Sequence, residues 1–483
     1  MFFIKSIIDD KCLVVDTKDG IEEWFHNKDI LNLDIFVLGK KDGKLRVVGL
    51  EEVIDYQVSL LKLAGITIEI EGTSLNRVKG DFKSFVVPYG ITKICGVRSD
   101  AIYEGCFKGC ALESIVLPNS VVSLGRACFS DCRNLKSIEI SDSVTSIEDF
   151  CFYGCANLEK VTISGSVTSI GDSCFEGCIN LEKVVISDSV TSIGDSCFEG
   201  CINLEKVVIP DSVTSIGYRC FCNCKSLVSV AIPDSVTSIG SHCFSCCASL
   251  VSVTISDSVT SIEKYCFDGC TSLVNVVIPD SVTSIEGVCF RGCKSLVNVT
   301  IPDSVTFIGS HCFADCLGLV DIKIPDSVTF IGLSCFSGCK GLQSIKLSSS
   351  VTAIEDSCFE CCVNLERIVI PDSVTIMKSA CFGYCDSLKS IEISDSVTSI
   401  GRHCFGDCRS LVNVIIPDSV ISLGDYCFSR CTSLTDIKIP DSVISLGDYC
   451  FYGCTSLEGI VIPDSVTSVG ICCFEGCTSL KQI

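Results

Sequence analysis

The sequence predicts a solenoid of the α/β repeat type, in which stacked coils each add a strand to a parallel sheet, preceded by a small N-terminal domain of α+β or β-rich character. Three observations predict it. The dipeptide Cys-Phe recurs every 23 residues from Cys128 to Cys473, with one earlier copy at Cys106, and every copy reads Cys-Phe-x-x-Cys. The apolar positions within one period fit neither a helical spacing nor simple alternation. Residues 1–82 carry no copy of the period, which divides the chain into a non-repeating segment, 1–82, and about 17 units over 83–483.

The unit LEKVVIPDSVTSIGYRCFCNC, from Leu204 to Cys224, shows how one coil is built. Its first apolar stretch, L-x-x-V-x-I, reads as a short strand with Val207 and Ile209 facing inward and Val208 outward. Pro210 and Asp211 turn the chain. Val213 and Ile216 mark a second extended stretch, and Cys220-Phe221 opens a tight turn toward the next strand. One coil cannot bury its own inner face, whereas stacked coils share a core of Leu on Leu, Phe on Phe and Cys on Cys.

Units such as ISDSVTSIGDSCFEGC, Ile186 to Cys201, and IPDSVTSIGYRCFCNC, Ile209 to Cys224, resemble the BspA-like leucine-rich repeat family, whose repeat has the form IPxSVTxIGxxAFxxCxxL. The likeness runs from about Phe85 to Ile483, and the slot before Phe, Ala in the family, is Cys here. The resemblance implies a right-handed leucine-rich-repeat array with its parallel sheet on the concave face. It also implies an adhesin-like surface protein that binds host or matrix proteins.

Composition excludes several other roles. A net charge of -22 and a pI near 4.6 argue against nucleic acid and anionic membrane surfaces as partners. No apolar run is long enough to insert in a membrane, and MFFIKSIIDDK meets charge at Asp9 and Asp10 too early for a secretory signal. On the sequence as it stands the expected location is cytoplasmic, and by family resemblance it is the cell surface. The 40 cysteines, 34 of them in the repeat pattern, are expected as free, buried thiols. Cys222, Cys246, Cys361 and Cys472 lie off that pattern and are expected to be exposed and oxidisable.

No constellation for chemistry emerges. The C-x-x-x-C spacing suits zinc, but each Cys occupies an apolar slot, so no metal and no cofactor is expected. His242, His311 and His403 each precede Cys-Phe, three and four coils apart, so they cannot converge and read as surface residues; no catalytic residue is assigned. A column of Asp after Pro, Asp211 among them, reads as Asx turns rather than a calcium site. A column of Thr, Thr214 among them, reads as exposed strand rather than an ice-binding face.

The ends differ from the array. FFIKSII, KCLVVDT and IEEWF read as strands, Leu50 to Leu63 as a helix, and Trp24 as a core residue. Leu480 and Ile483 fill strand slots with no capping unit after them, which raises self-association through the C-terminal strand, or a truncated sequence, as expectations.

The most informative column is the outward strand residue, where the core slots hardly change but this one varies. Val185, Val208, Ala231, Thr254, Val277, Thr300, Lys323 and Lys346 are the expected binding residues of the concave sheet. The expected function is recognition of a protein or glycan partner, with a structural or assembly scaffold as the alternative.

Overall fold

The computed structural model describes residues 2–8, 11–16, 22–26, 37–41 and 44–47, and residues 66–481 apart from 72, 81, 89, 96, 100 and 101. The chain divides into two compact units, Met1–Leu227 and Val228–Ile483.

In the first unit, Phe2–Ile8, Lys11–Asp16 and Glu22–His26 form a three-stranded antiparallel sheet, as their sequence patterns predict. Val37–Lys41 and Lys44–Val47 form a hairpin. The helix expected from Leu50 to Leu63 and the side chain of Trp24 lie outside the described residues. The next hairpin, Thr67–Glu71 with Ser74–Lys79, lies in the segment expected to be non-repeating, yet Ser74 and Leu75 pair in parallel with Lys93 and Ile94. A twisted hairpin thereby covers the edge that the first coil presents. The insertion before Cys106 is itself a hairpin, Val97–Ser99 with Ile102–Glu104.

Each coil then contributes two short strands. Lys183–Val185 pairs in parallel with Lys206–Val208, and Ser192–Ile193 pairs in parallel with Ser215–Ile216, each residue facing its counterpart 23 positions on. The same arrangement recurs in the second unit, where strands from Asp321–Lys323 to Gly459–Val461 form a seven-stranded sheet and those from Ala353–Ile354 to Ser468–Val469 a six-stranded one. The repeats build a right-handed parallel β-solenoid of about 17 turns. Among the described residues there is no helix, so the α/β expectation is corrected to an all-β coil; accordingly, no described helix is long and apolar enough to cross a membrane.

The Cys-Phe segment explains that correction. The residue before Cys-Phe and the second x of Cys-Phe-x-x-Cys both have positive φ, as in Ser196 (51°) and Gly200 (71°). Two left-handed residues within five positions interrupt any helix, since that conformation costs about 1–2 kcal/mol for a residue with a Cβ. The segment forms turns instead: the Cys201 amide donates to the Phe198 carbonyl of its own coil (3.1 Å), and the Phe198 amide to the Cys220 carbonyl of the next (2.8 Å).

The core runs along the stack. Leu181, Val184, Val190, Ile193, Cys197, Phe198 and Cys201 are all buried. Successive Phe rings lie parallel, 5.2 to 5.4 Å apart from Phe107 to Phe221 and 5.3 to 5.7 Å apart from Phe244 to Phe474. The second Cys of the motif has a specific task. In coil after coil its thiol donates to the Phe carbonyl of the preceding coil, as from Cys270 to Phe244 and from Cys385 to Phe359, both at 3.2 Å. A buried polar atom left unpaired costs roughly 1–3 kcal/mol, so a thiol that both fills apolar space and donates suits this slot.

Candidate binding surfaces

All eight residues expected on the binding face are exposed on the outward side of the first strand row. In the first unit, Val185 and Val208 are direct partners across adjacent strands. In the second, the partners are Ala231 with Thr254, Val277 with Thr300, and Lys323 with Lys346. The sheet hydrogen bonding stops after the strand Asn298–Thr300 and resumes at Asp321–Lys323, so the row is not one continuous ladder. The most exposed apolar members are Val208 at 60% and Val277 at 65%, with Ile415 at 81% and Val461 at 77% further along.

A second row on this face was missed. The residue after the core Leu is Glu159, Glu182 and Glu205 in the first unit, Val228, Val251, Val274, Val297 and Val320 at the start of the second, and Gln343, Glu366 and Lys389 in the coils that follow. Of these, Val228, Val251, Val297 and Val320 are exposed large hydrophobics. The signal was present as a switch from charge to Val in one column, but it lies one residue before the strand and escaped a reading confined to the strand.

The hydroxyl columns serve the stack. The Thr145, Thr168, Thr191 and Thr214 hydroxyls donate to the carbonyl one coil earlier at 3.3 to 3.4 Å. The Asp column is exposed. Where its carboxylates are bonded, the donor belongs to the next coil, as in Ser164 to Asp142 (3.0 Å) and Ser394 to Asp372 (2.9 Å). These Ser residues replace the Pro of other coils and so supply a donor that Pro lacks. Among the described residues no three His, Cys, Asp or Glu side chains converge to hold a metal ion.

The described cysteines are free thiols. Cys246 is exposed and Cys361 and Cys472 are half-buried, but Cys222 is buried, which corrects the expectation for that residue. It fills the first x after Phe, where small side chains tuck beneath the turn; Ser130, Ser245, Ala314 and Ser429 are equally buried there. Brief alkylation of the native, reduced protein should therefore modify Cys246 first and leave Cys222 protected, whereas alkylation after denaturation should reach all 40. Peptide mass mapping checks the order, and early labelling of Cys222 would contradict the burial.

His242 and His311 are half-buried in separate turns, with His242 stacked on Tyr265 at 4.2 Å. His403 behaves differently. It borders a cleft of about 470 Å³ on the turn side of the second unit, together with Tyr384, Asp407, Tyr426, Arg430 and Tyr452. The cleft lies between the two left-handed columns. One supplies Ala380, His403 and Tyr426; the other supplies Tyr384, Asp407 and Arg430 in a slot that is Gly at 338 and 453. A Cβ on Gly406 would overlap the His403 ring, so glycine there leaves room for that side chain. The sequence reading passed over these residues because they are far apart along the chain and look like drift within two variable columns.

The comparisons with known proteins agree with this architecture. The family model for the BspA type leucine rich repeat region matches residues 100–225, 191–320, 260–389, 306–433 and 398–483. Among solved structures, a leucine-rich repeat protein from Bacteroides ovatus is 29% identical, over 86% of this chain and 92% of its own, with a TM-score of 0.59. A leucine rich cell surface protein from Faecalibacterium prausnitzii is 27% identical over 72% of this chain and 94% of its own, with a TM-score of 0.43. A leucine-rich repeat protein from Eubacterium ventriosum is 24% identical over 72% and 84%, with a TM-score of 0.42. A search of curated proteins gives no match. With its repeats matched from residue 100 to the last coil, the chain belongs to the BspA-type leucine-rich repeat family.

Proposed function

We propose that this chain is a non-enzymatic recognition protein, adhesin-like in mode, that binds a protein or glycan partner through the outward residues of its first strand row. The observation that carries the reading is the apolar band on the second unit. There Val251 and Val297 flank the strands on which Val277 stands 65% exposed, above core slots that hardly vary. Contiguous exposed apolar area on a sheet is the usual mark of a partner surface. Membership of a repeat family whose members are generally not enzymes is consistent with this role.

The test uses substitutions the fold already accepts. Val251→Glu with Val297→Glu installs the residue that Glu182 and Glu205 supply in the same slot, so the stack should persist. The wild-type chain should retain at least one ligand from a panel of purified extracellular-matrix proteins and arrayed glycans. The double variant, or Val277→Lys, should weaken that binding roughly tenfold or more, the scale of a lost interface anchor. Retained affinity in both, with the fold intact by circular dichroism, would reject this face as the contact surface.

A further inference from the structure

The turn-side cleft of the second unit is a built site, and it is independent of the strand face. Three successive coils place Tyr384 (φ 59°), Asp407 (φ 59°) and Arg430 (φ 58°) where the array uses Gly at 338 and 453.

Asp407 is the central group. It is 4% exposed, and its Oδ1 accepts from Arg409 Nη2 at 3.4 Å with Arg430 Nη1 at 3.9 Å. Its Oδ2 meets His403 Nε2 at 3.8 Å, too long for a hydrogen bond. The Asp407 carboxylate lies on the cleft wall and keeps lone pairs able to accept from something that enters it. Burial pushes the His403 imidazole below its usual pKa against the opposing pull of Asp407, so the ring is neutral at neutral pH.

The lining then carries two carboxylates, Glu360 and Asp407, and two guanidiniums, Arg402 and Arg430. An ion of either sign entering the cleft meets charge of its own sign. A neutral ligand with many hydroxyls avoids that conflict, because hydroxyls donate to carboxylates and accept from guanidiniums. The rings complete the fit. Tyr384, Tyr426 and Tyr452 line the cleft; Tyr426 is stacked on Tyr449 at 4.8 Å with the Arg402 guanidinium 5.4 Å from its ring, whereas Tyr384 is 42% exposed. An exposed ring such as Tyr384 presents a flat face to the C–H surface of a pyranose. The cleft volume lies within the range of roughly 300–1,000 Å³ typical of small-ligand sites.

The geometry points to a carbohydrate-binding site in which the Asp407 carboxylate accepts hydroxyls of a neutral sugar unit stacked on Tyr384. The full chain would be titrated with neutral hexoses, N-acetylhexosamines and their disaccharides, read by saturation-transfer NMR and calorimetry. At least one sugar should bind, and Asp407→Asn should weaken it roughly tenfold, the loss of one charge-assisted hydrogen bond. Tyr384→Gly restores the residue of Gly338 and Gly453, so it should fold normally and still lose binding. Tyr153→Ala in the first unit, and the strand-face variants, should leave sugar affinity unchanged. Failure of every sugar to bind wild type overturns the proposal, as does binding that survives both cleft variants, or tighter binding of acetate or methylammonium than of any sugar.

Discussion

Brought from about pH 8 to about pH 10 under reducing conditions, the protein is expected to lose its fold in one steep transition. Burial raises the thiols of Cys270, Cys289, Cys316, Cys335, Cys362 and Cys385 well above the ordinary thiol range, and pushes Cys339 up to about 12. In the unfolded chain a thiol titrates near about 8.5. Below that value both states hold the proton and the contribution is complete. Above it the unfolded chain releases protons that the fold retains, so stability falls, and it goes on falling until the buried thiols themselves ionise, about 12 for Cys339. Each buried thiol then removes about 1.4 kcal/mol per pH unit, and a coil with two loses roughly 3 kcal/mol per unit. A 23-residue coil has only about 1–3 kcal/mol of net stability at typical per-residue values. The thiol effect therefore wins within about one pH unit of 8.5. Far-UV circular dichroism against pH checks it. Replacing Cys266, Cys270, Cys289 and Cys293 by Ala should make the transition less steep, and a fold that persists to pH 10 would refute the argument.

Phe267→Ala is expected to destabilise the second unit by about 3–5 kcal/mol. Phe267 is fully buried and lies between Phe244 at 5.6 Å and Phe290 at 5.5 Å, so truncation removes two ring contacts and opens a cavity that the rigid turns on either side cannot close. That loss exceeds the net stability of one coil. Because coils contact only their neighbours, the defect should divide cooperative unfolding rather than spread evenly. Scanning calorimetry should show a split or broadened transition, with amide exchange fastest around Cys266 to Cys270. Phe267→Leu, which keeps most of the volume, should cost far less. A single sharp transition displaced by less than a degree or two would show that the ring ladder carries little stability.

The repeating part of the fold was legible because its determinants are local and periodic. Val207 inward, Val208 outward and Ile216 inward follow from one coil, and the period of 23 then places every other coil. The all-β character was harder to read. The tight turn read at Cys-Phe is the one the structure shows, and the left-handed φ of Ser196 and Gly200 excludes there the helix that an α/β class would have allowed. The burial of Cys222 depends on the space beneath a turn, which a letter pattern does not contain. The cleft was the least legible feature. Its lining residues come from the turns of five coils, from Glu360 to Tyr452, with non-glycine residues at Tyr384, Asp407 and Arg430 in a slot that is glycine at 338 and 453. Each substitution alone is ordinary; their adjacency exists only in three dimensions.

The thiol-to-carbonyl bonds of the second Cys and the hydroxyl-to-carbonyl bonds of the Thr column join near-equivalent positions of neighbouring coils, such as Cys385 to Phe359 and Thr214 to Thr191. Every interior coil therefore offers its successor the acceptors it takes from its predecessor. Unequal recombination that adds or deletes one whole 23-residue copy would leave no donor orphaned at the junction, so gene length can change in such quanta while the polar bonding stays closed. An insertion of another size has to be looped out of the stack, as the hairpin Val97–Ser99 with Ile102–Glu104 is, for the ring ladder to keep its register, Phe107 against Phe129 at 5.2 Å.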